Sequence, residues 1–102
     1  MAAKDRLYKG QPGTVDANLF TAVKDYEGLI IWAVNGTTAT VPLTLTHVDT
    51  SNNSMPLVSM CIPAGGTADI RVPVHIYANE SVKGHQGIAG ALTIFIDGVL
   101  SL

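Results

Sequence analysis

The sequence predicts an all-β chain, a small antiparallel β-sandwich of jelly-roll or immunoglobulin-like type with an extended N-terminal arm. Three observations predict it. Apolar and polar residues alternate with a period of two through the readable segments, as on strands with one buried face. Turn-forming residues punctuate those segments at short intervals. Helix signals are thin: Asp16 is placed to cap a short turn through Leu19 and Phe20, but Leu19-Phe20-Thr21-Ala22-Val23 reads better as a strand.

Taken in order, residues 1–15 form the arm and residues 16–102 the sandwich domain. Lys4, Arg6 and Lys9 are half of the six basic residues in the chain, and Gly10-Gln11-Pro12-Gly13 closes the arm with turn residues. After the Leu19 strand comes a charged turn, Lys24-Asp25-Tyr26-Glu27-Gly28. Leu29-Ile30-Ile31-Trp32-Ala33-Val34 is almost continuously apolar, which predicts a strand covered on both faces with Trp32 in the core. Asn35-Gly36 follows it directly and predicts a type I′ hairpin into the next strand, because both residues tolerate positive φ.

That next strand places Val41, Leu43 and Leu45 on one face and Thr40, Pro42, Thr44 and Thr46 on the other. Threonine suits an outward strand position, since its branched side chain fits the pleat. Asp49–Ser54 and Pro63-Ala64-Gly65-Gly66 are loops flanking the apolar run Leu57–Ile62, which makes Cys61 a small buried hydrophobe. Ile70, Val72, Val74 and Ile76 alternate with Arg71, Pro73, His75 and Tyr77. Asn79–Gly90 is the longest punctuated stretch, and Leu92-Thr93-Ile94-Phe95-Ile96 is a second strand expected to be covered on both faces. Pro42 and Pro73 lack an amide donor, so they mark edge strands or strand starts. The count is one domain of about six to eight strands.

Composition narrows the function. The 102 residues carry 14% charged side chains, against about 25% in an average soluble domain. Apolar residues are 47%, mean hydropathy is +0.31, and no apolar run approaches the length of about 18 residues that a membrane helix requires. A surface so poor in charge is expected to meet another protein. A net charge of −2 and a pI near 5.8 argue against a nucleic-acid binder, which would carry a basic face. One cysteine excludes an intrachain disulfide and a multi-cysteine zinc site. The first residues, Met1 to Tyr8, lack the apolar core of a secretory signal, so synthesis in a reducing cytoplasm is expected.

No motif announces a reaction. His47, His75 and His85 are too far apart for a local metal motif, and neither Ser59 nor Ser81 lies in a Gly-x-Ser-x-Gly context. Asp25 and Glu27 flank Tyr26 as a solvated turn. Gly84-His85-Gln86-Gly87-Ile88-Ala89-Gly90 lacks the helix that would make it a phosphate loop, so its glycines read as turn residues. Three Asn-x-Ser/Thr triplets, at Asn35, Asn52 and Asn79, carry no weight without a secretory signal. The expectation is a non-enzyme without catalytic residues, metal or cofactor. Tyr8, Tyr26 and Tyr77 fall in the arm, a turn and an outward strand position, where tyrosine serves protein contacts and sugar stacking equally well.

The order of features resembles the small β-sandwich virion proteins of tailed bacteriophages. It is carried by the arm Leu7-Tyr8-Lys9-Gly10-Gln11-Pro12-Gly13-Thr14, by Leu19-Phe20-Thr21-Ala22, and by Val34-Asn35-Gly36-Thr37-Thr38-Ala39-Thr40-Val41-Pro42-Leu43-Thr44-Leu45. Ile62-Pro63-Ala64-Gly65-Gly66-Thr67 and the closing Gly90–Val99 complete the likeness, which spans most of the chain. Lys24-Asp25-Tyr26-Glu27 departs from the Pro-Ala-Gly type of turn expected after the first strand. The resemblance implies a capsid decoration or cement protein on the virion surface, a homotrimer bridging major capsid proteins, with no nucleic-acid or membrane partner. On that reading Lys4, Arg6, Tyr8 and Lys9 of the arm contact the capsid. Tyr26 and Tyr77 are subunit or ligand contacts; the alternative role is a carbohydrate- or receptor-binding module of a tail or head fibre.

Overall fold

The computed structural model describes residues 4–100. Eight strands account for most of them: β1 (Lys4–Gly10), β2 (Ala17–Thr21), β3 (Tyr26–Asn35), β4 (Val41–Val48), β5 (Ser54–Ile62), β6 (Thr67–Val72), β7 (Ser81–Gln86) and β8 (Leu92–Leu100). They form two four-stranded antiparallel sheets, ordered β1-β8-β3-β6 and β2-β7-β4-β5. Of consecutive strands only β4 and β5 are neighbours; every other connection leads away to a non-adjacent strand. That is the double Greek key of a jelly roll, and it decides between the two sandwich types the sequence allows.

The core lies between the sheets. Leu29, Ile31 and Ala33 of β3, Val41, Leu43 and Leu45 of β4, and Leu92, Ile94 and Ile96 of β8 are buried, with Phe20, Ile62, Ile76 and Val82 packed among them. Period-two alternation therefore holds even inside the runs that look continuously apolar. β3 and β8 each bury one face only, and their intervening residues Ile30, Trp32, Thr93 and Phe95 point outward. Trp32 is 52% exposed, contrary to the core position expected of it.

Other expectations are corrected. The segment read as an arm ahead of the sandwich supplies β1, an edge strand paired with β8 from Lys4↔Val99 to Gly10↔Ile94. Its first three residues lie outside the described range. Asn35-Gly36 is no hairpin: β3 and β4 belong to different sheets, and neither residue has a positive φ. Asn35 instead turns the corner from one sheet to the other. It is 1% exposed; its Nδ2 donates to the Ala39 and Ile62 carbonyls (2.8 and 3.0 Å), and its Oδ1 accepts from Thr37 N–H and Oγ1–H (2.9 and 2.7 Å). Among the described residues the one tight hairpin is Asp49–Asn53 between β4 and β5. There the Asp49 carboxylate accepts from the amides of Ser51 and Asn53, and Asn52 adopts φ 65°. The Asn53 amide is the leading reason that the Asp49 carboxyl is held below the usual carboxylate range.

The glycine-rich stretch 79–90 contains β7. Gly84 lies in the strand because a Cβ there would meet Leu45 Cδ2 at 2.5 Å and Leu19 Cδ1 at 2.9 Å. Gln86 ends β7 fully buried. Its Nε2 donates to the Pro12 carbonyl (2.6 Å) and the Leu92 carbonyl (3.3 Å), and its Oε1 accepts the Leu92 amide (2.7 Å). Cys61, expected inside, is exposed on edge strand β5. Pro42 is the second residue of β4, before its pairing with β7 begins at Leu43↔Gln86, and Pro73 directly follows edge strand β6.

Candidate interaction surface

The groups able to do chemistry are dispersed around the sandwich. His47 Nε2 lies 3.0 Å from Glu80 Oε1, which also accepts the Tyr77 amide at 2.8 Å. His85 Nδ1 lies 3.1 Å from Asp16 Oδ1, and the His75 ring stacks on Tyr77 with centroids 5.4 Å apart. Among the described residues no three His, Cys, Asp or Glu side chains are grouped to hold a metal ion.

The outer face of the first sheet is different in kind. Strand registers align its outward residues into rows running across all four strands. One row reads Lys9 (β1), Phe95 (β8), Trp32 (β3), Asp69 (β6); the next reads Arg6, Asp97, Ile30, Arg71. Lys9 and Arg6 share this face, although three residues apart, because the ladder skips one residue between Arg6 and Tyr8. Such a bulge resets the parity of alternation. Leu7 and Tyr8 are thereby both turned to the core, against which they pack.

Charge and aromatic groups interlock on this face. Arg6 Nε lies 2.5 Å from Asp97 Oδ1, while its guanidinium carbon sits 5.0 Å from the Phe95 ring centroid. Lys9 Nζ sits 5.9 Å from the same centroid, a second cation over the ring. Arg71 Nη2 is 3.8 Å from Asp69 Oδ2 on the far edge. Between the charged margins, Arg6, Ile30, Trp32, Phe95 and Asp97 line a shallow groove of about 260 Å³. A neighbouring hollow of about 340 Å³ runs over Gly28, Ile30, Val72, Pro73 and Val99.

The residues singled out from sequence therefore have separate fates. Arg6 and Lys9 belong to this face, and Lys4 lies at the start of the same edge strand. Tyr8 is half-buried, and burial raises its phenol above the ordinary value. Tyr26 is no surface contact: at 1% exposure it is a core residue, bridged to Ile76 through both backbone groups. Its Oη–H donates to Asp5 Oδ2 at 2.9 Å, and Lys24 Nζ approaches the same oxygen at 3.3 Å. Burial foremost, with the Asp5 carboxylate second, pushes the Tyr26 phenol up to about 12; the Tyr26 hydroxyl, then Lys24, holds Asp5 below the usual carboxylate range. Tyr77 is exposed at 54%, on a different part of the surface from Trp32. Sequence reading missed Trp32 and Phe95 as surface residues. The available signal was strict alternation in Leu29, Ile31, Ala33 against Ile30, Trp32, Val34, hidden because both sets are apolar.

No protein-family model and no curated protein matches the chain. Among solved structures, a chain of Bacillus endospore appendages, which form a family of disulfide-linked pili, aligns with TM-score 0.55 at 13% identity. That alignment covers 99% of this chain and 90% of that one. A chain of infectious bursal disease virus, strain Gx, aligns with TM-score 0.55 at 9% identity, covering 98% of this chain and 32% of that one. The present chain thus spans about a third of the viral one. At these identities the likeness is one of fold.

Proposed function

We propose that this chain is a structural subunit of a many-copy protein shell, and in finer terms a capsid decoration (cement) protein bridging neighbouring major capsid proteins on a virion surface. The observation that carries the proposal is the outer face of the first sheet. Tryptophan, phenylalanine and arginine are the side chains enriched where proteins meet, and here they stand in register on the outer face of a sheet, Trp32 exposed and Phe95 half-buried beneath Arg6 and Lys9. Low overall charge and a jelly-roll frame, shared with a viral chain and a pilus chain, support the same reading.

The work of such a subunit is mechanical. Apolar area buried across joints contributes about 25 cal/mol per Å², and many copies multiply that cost of separating neighbours. The basic residues of β1, Lys4, Arg6 and Lys9, border the face and orient it against an acidic neighbour. Exposed ion pairs of this kind contribute only about 0–1 kcal/mol each, so they guide docking more than they hold it. No bond-making step and no cofactor enters this role.

Co-sedimentation with undecorated heads of a tailed phage tests it. The expected result is saturable binding and a higher temperature or force for head rupture. Heads that neither retain the protein nor gain resistance overturn the decoration role.

A further inference from the structure

The first-sheet face has a charge order that says what covers it. Its row Lys9-Phe95-Trp32-Asp69 begins with a cation, ends with an anion and holds an aromatic ring at each inner position. Strands are spaced about 4.8 Å apart, so the backbone positions of Lys9 and Asp69 lie about 14 Å from each other, with the aromatic residues between them. We infer that the occupant of this face is the same face of a second copy, related by a two-fold axis lying parallel to the strands between β8 and β3.

That axis preserves each row and reverses its order. Lys9 of one copy then meets the partner's Asp69, and Phe95 meets the partner's Trp32; symmetry repeats both contacts, as in any isologous pair. Offset aromatic pairs add to area burial, and the two Lys–Asp contacts set the register. The second row sets Arg6 against the partner's Arg71 and Asp97 against the partner's Ile30; Asp97 stays paired with Arg6 of its own sheet, and Arg71, largely exposed on edge strand β6, lies at the solvent rim. The competing in-plane axis, along the row, would oppose Lys9 to the partner's Lys9 and Asp69 to the partner's Asp69. Charge selects the first arrangement and disfavours the second.

The size of the contact fits a reversible pair. Four strands of six to ten residues present about 500 Å² of sheet to a partner, near the low end for specific association. Small interfaces of this kind are weak and reversible, so the pair is expected to form and dissociate in the micromolar range. A two-fold pair is also a different closure from the trimer that the family resemblance implies, and mass separates them.

The inference takes from the proposed role only that this face meets a protein; a second copy and a capsid neighbour compete for it, the pair being the state of the free chain, and the test of the pair needs no capsid. Sedimentation equilibrium of the full chain across the micromolar range, with reductant present because Cys61 is exposed, should give twice 10.7 kDa at the upper end. Trp32→Glu should weaken the pair by about 30-fold or more, as removal of a central aromatic anchor does. Lys9→Glu and Asp69→Lys should each weaken it by about tenfold, since every single change disrupts two contacts per pair. The double variant Lys9→Glu/Asp69→Lys should recover most of that loss. Circular dichroism guards against misfolding, and all three side chains stand on the solvent side of the sheet. A monomer at every concentration, a trimer indifferent to Trp32→Glu, or a double variant no better than the singles overturns the inference. A monomer that still coats phage heads leaves the decoration role standing, whereas a dimer that coats none overturns that role and leaves the pair.

Discussion

At Asn35 and Gln86 the sandwich encloses two amides; at Trp32 and Phe95 it leaves two aromatic rings facing outward. Hydropathy alone would reverse that assignment. The amides are tolerated inside because their donors and acceptors are matched: Asn35 makes four hydrogen bonds and Gln86 three. Each ties together segments that the jelly roll must hold at a corner, β3 to β5 for Asn35 and residue 12 to β8 for Gln86. Outside, Phe95 is half-buried beneath the Arg6 and Lys9 cations, whereas Trp32 is left 52% exposed. The contrast teaches that burial follows strand geometry and hydrogen-bond completion, not hydropathy alone.

The sharpest way to break the comparison is to empty the inside. Gln86→Leu preserves bulk but leaves the Pro12 carbonyl and both backbone groups of Leu92 without that partner, and Asn35→Ala does the same to the Ile62 carbonyl. Each should cost about 3 kcal/mol, read as a lower denaturation midpoint at unchanged m-value. Next comes Gly84→Ala, where the added methyl meets Leu45 and Leu19. Overpacking of this kind should cost about 2 kcal/mol, whereas glycine to alanine in an open strand position would stabilise.

Tyr26→Phe should cost about 1 kcal/mol at neutral pH through loss of the bond to Asp5. This contact also has a pH dependence of definite sign. The folded Tyr26 phenol titrates near 12 against an ordinary 10.0, so its contribution is complete below pH 10 and is lost as pH rises from 10 to 12. Asp5 is shifted downward from 3.8, so its contribution holds above that value and fades as pH falls below it. Stability curves against pH should show both slopes in the wild type; Tyr26→Phe should lose the alkaline slope and keep a smaller acid slope, which Lys24 sustains. The smallest effect belongs to the outside: Trp32→Thr should leave monomer stability within about 0.5 kcal/mol of wild type. A large loss there would place Trp32 in the monomer's own packing and erase the contrast.

Much of the fold is legible before any coordinates. The alternation in Val41–Leu45 gives β4 its inward face, and the Leu19–Val23 segment resolves to a strand ending at Thr21. Asp49–Ser54 reads as a loop and is the hairpin of β4 and β5. Other features are not legible for stated reasons. Asn35-Gly36 carries a hairpin motif, but a local turn preference is overruled when the next strand pairs in the opposite sheet. β7 is masked by Gly84 and Gly87, residues chosen for space against Leu45 and Pro42, not for turning. β1 carries three of its seven residues as Lys or Arg and looks like a solvated tail, yet Leu7 and Tyr8 are enough to seat it against β8. The candidate face is half legible: the sequence places Arg6 and Lys9 on an outward segment, though as an arm and not as a strand, while the apolar runs hide Trp32 and Phe95 in the core.

What the sequence determined by itself is the material of the fold: strands, their inward faces and the poverty of surface charge. These are local, because side-chain period two is a property of the extended backbone. What tertiary structure alone decided is which strand neighbours which, hence that Lys9, Phe95, Trp32 and Asp69, drawn from four distant segments, stand in one line. Register is a non-local quantity, set by two sheets closing over a shared core and by one bulge at Leu7, and no window of sequence contains it.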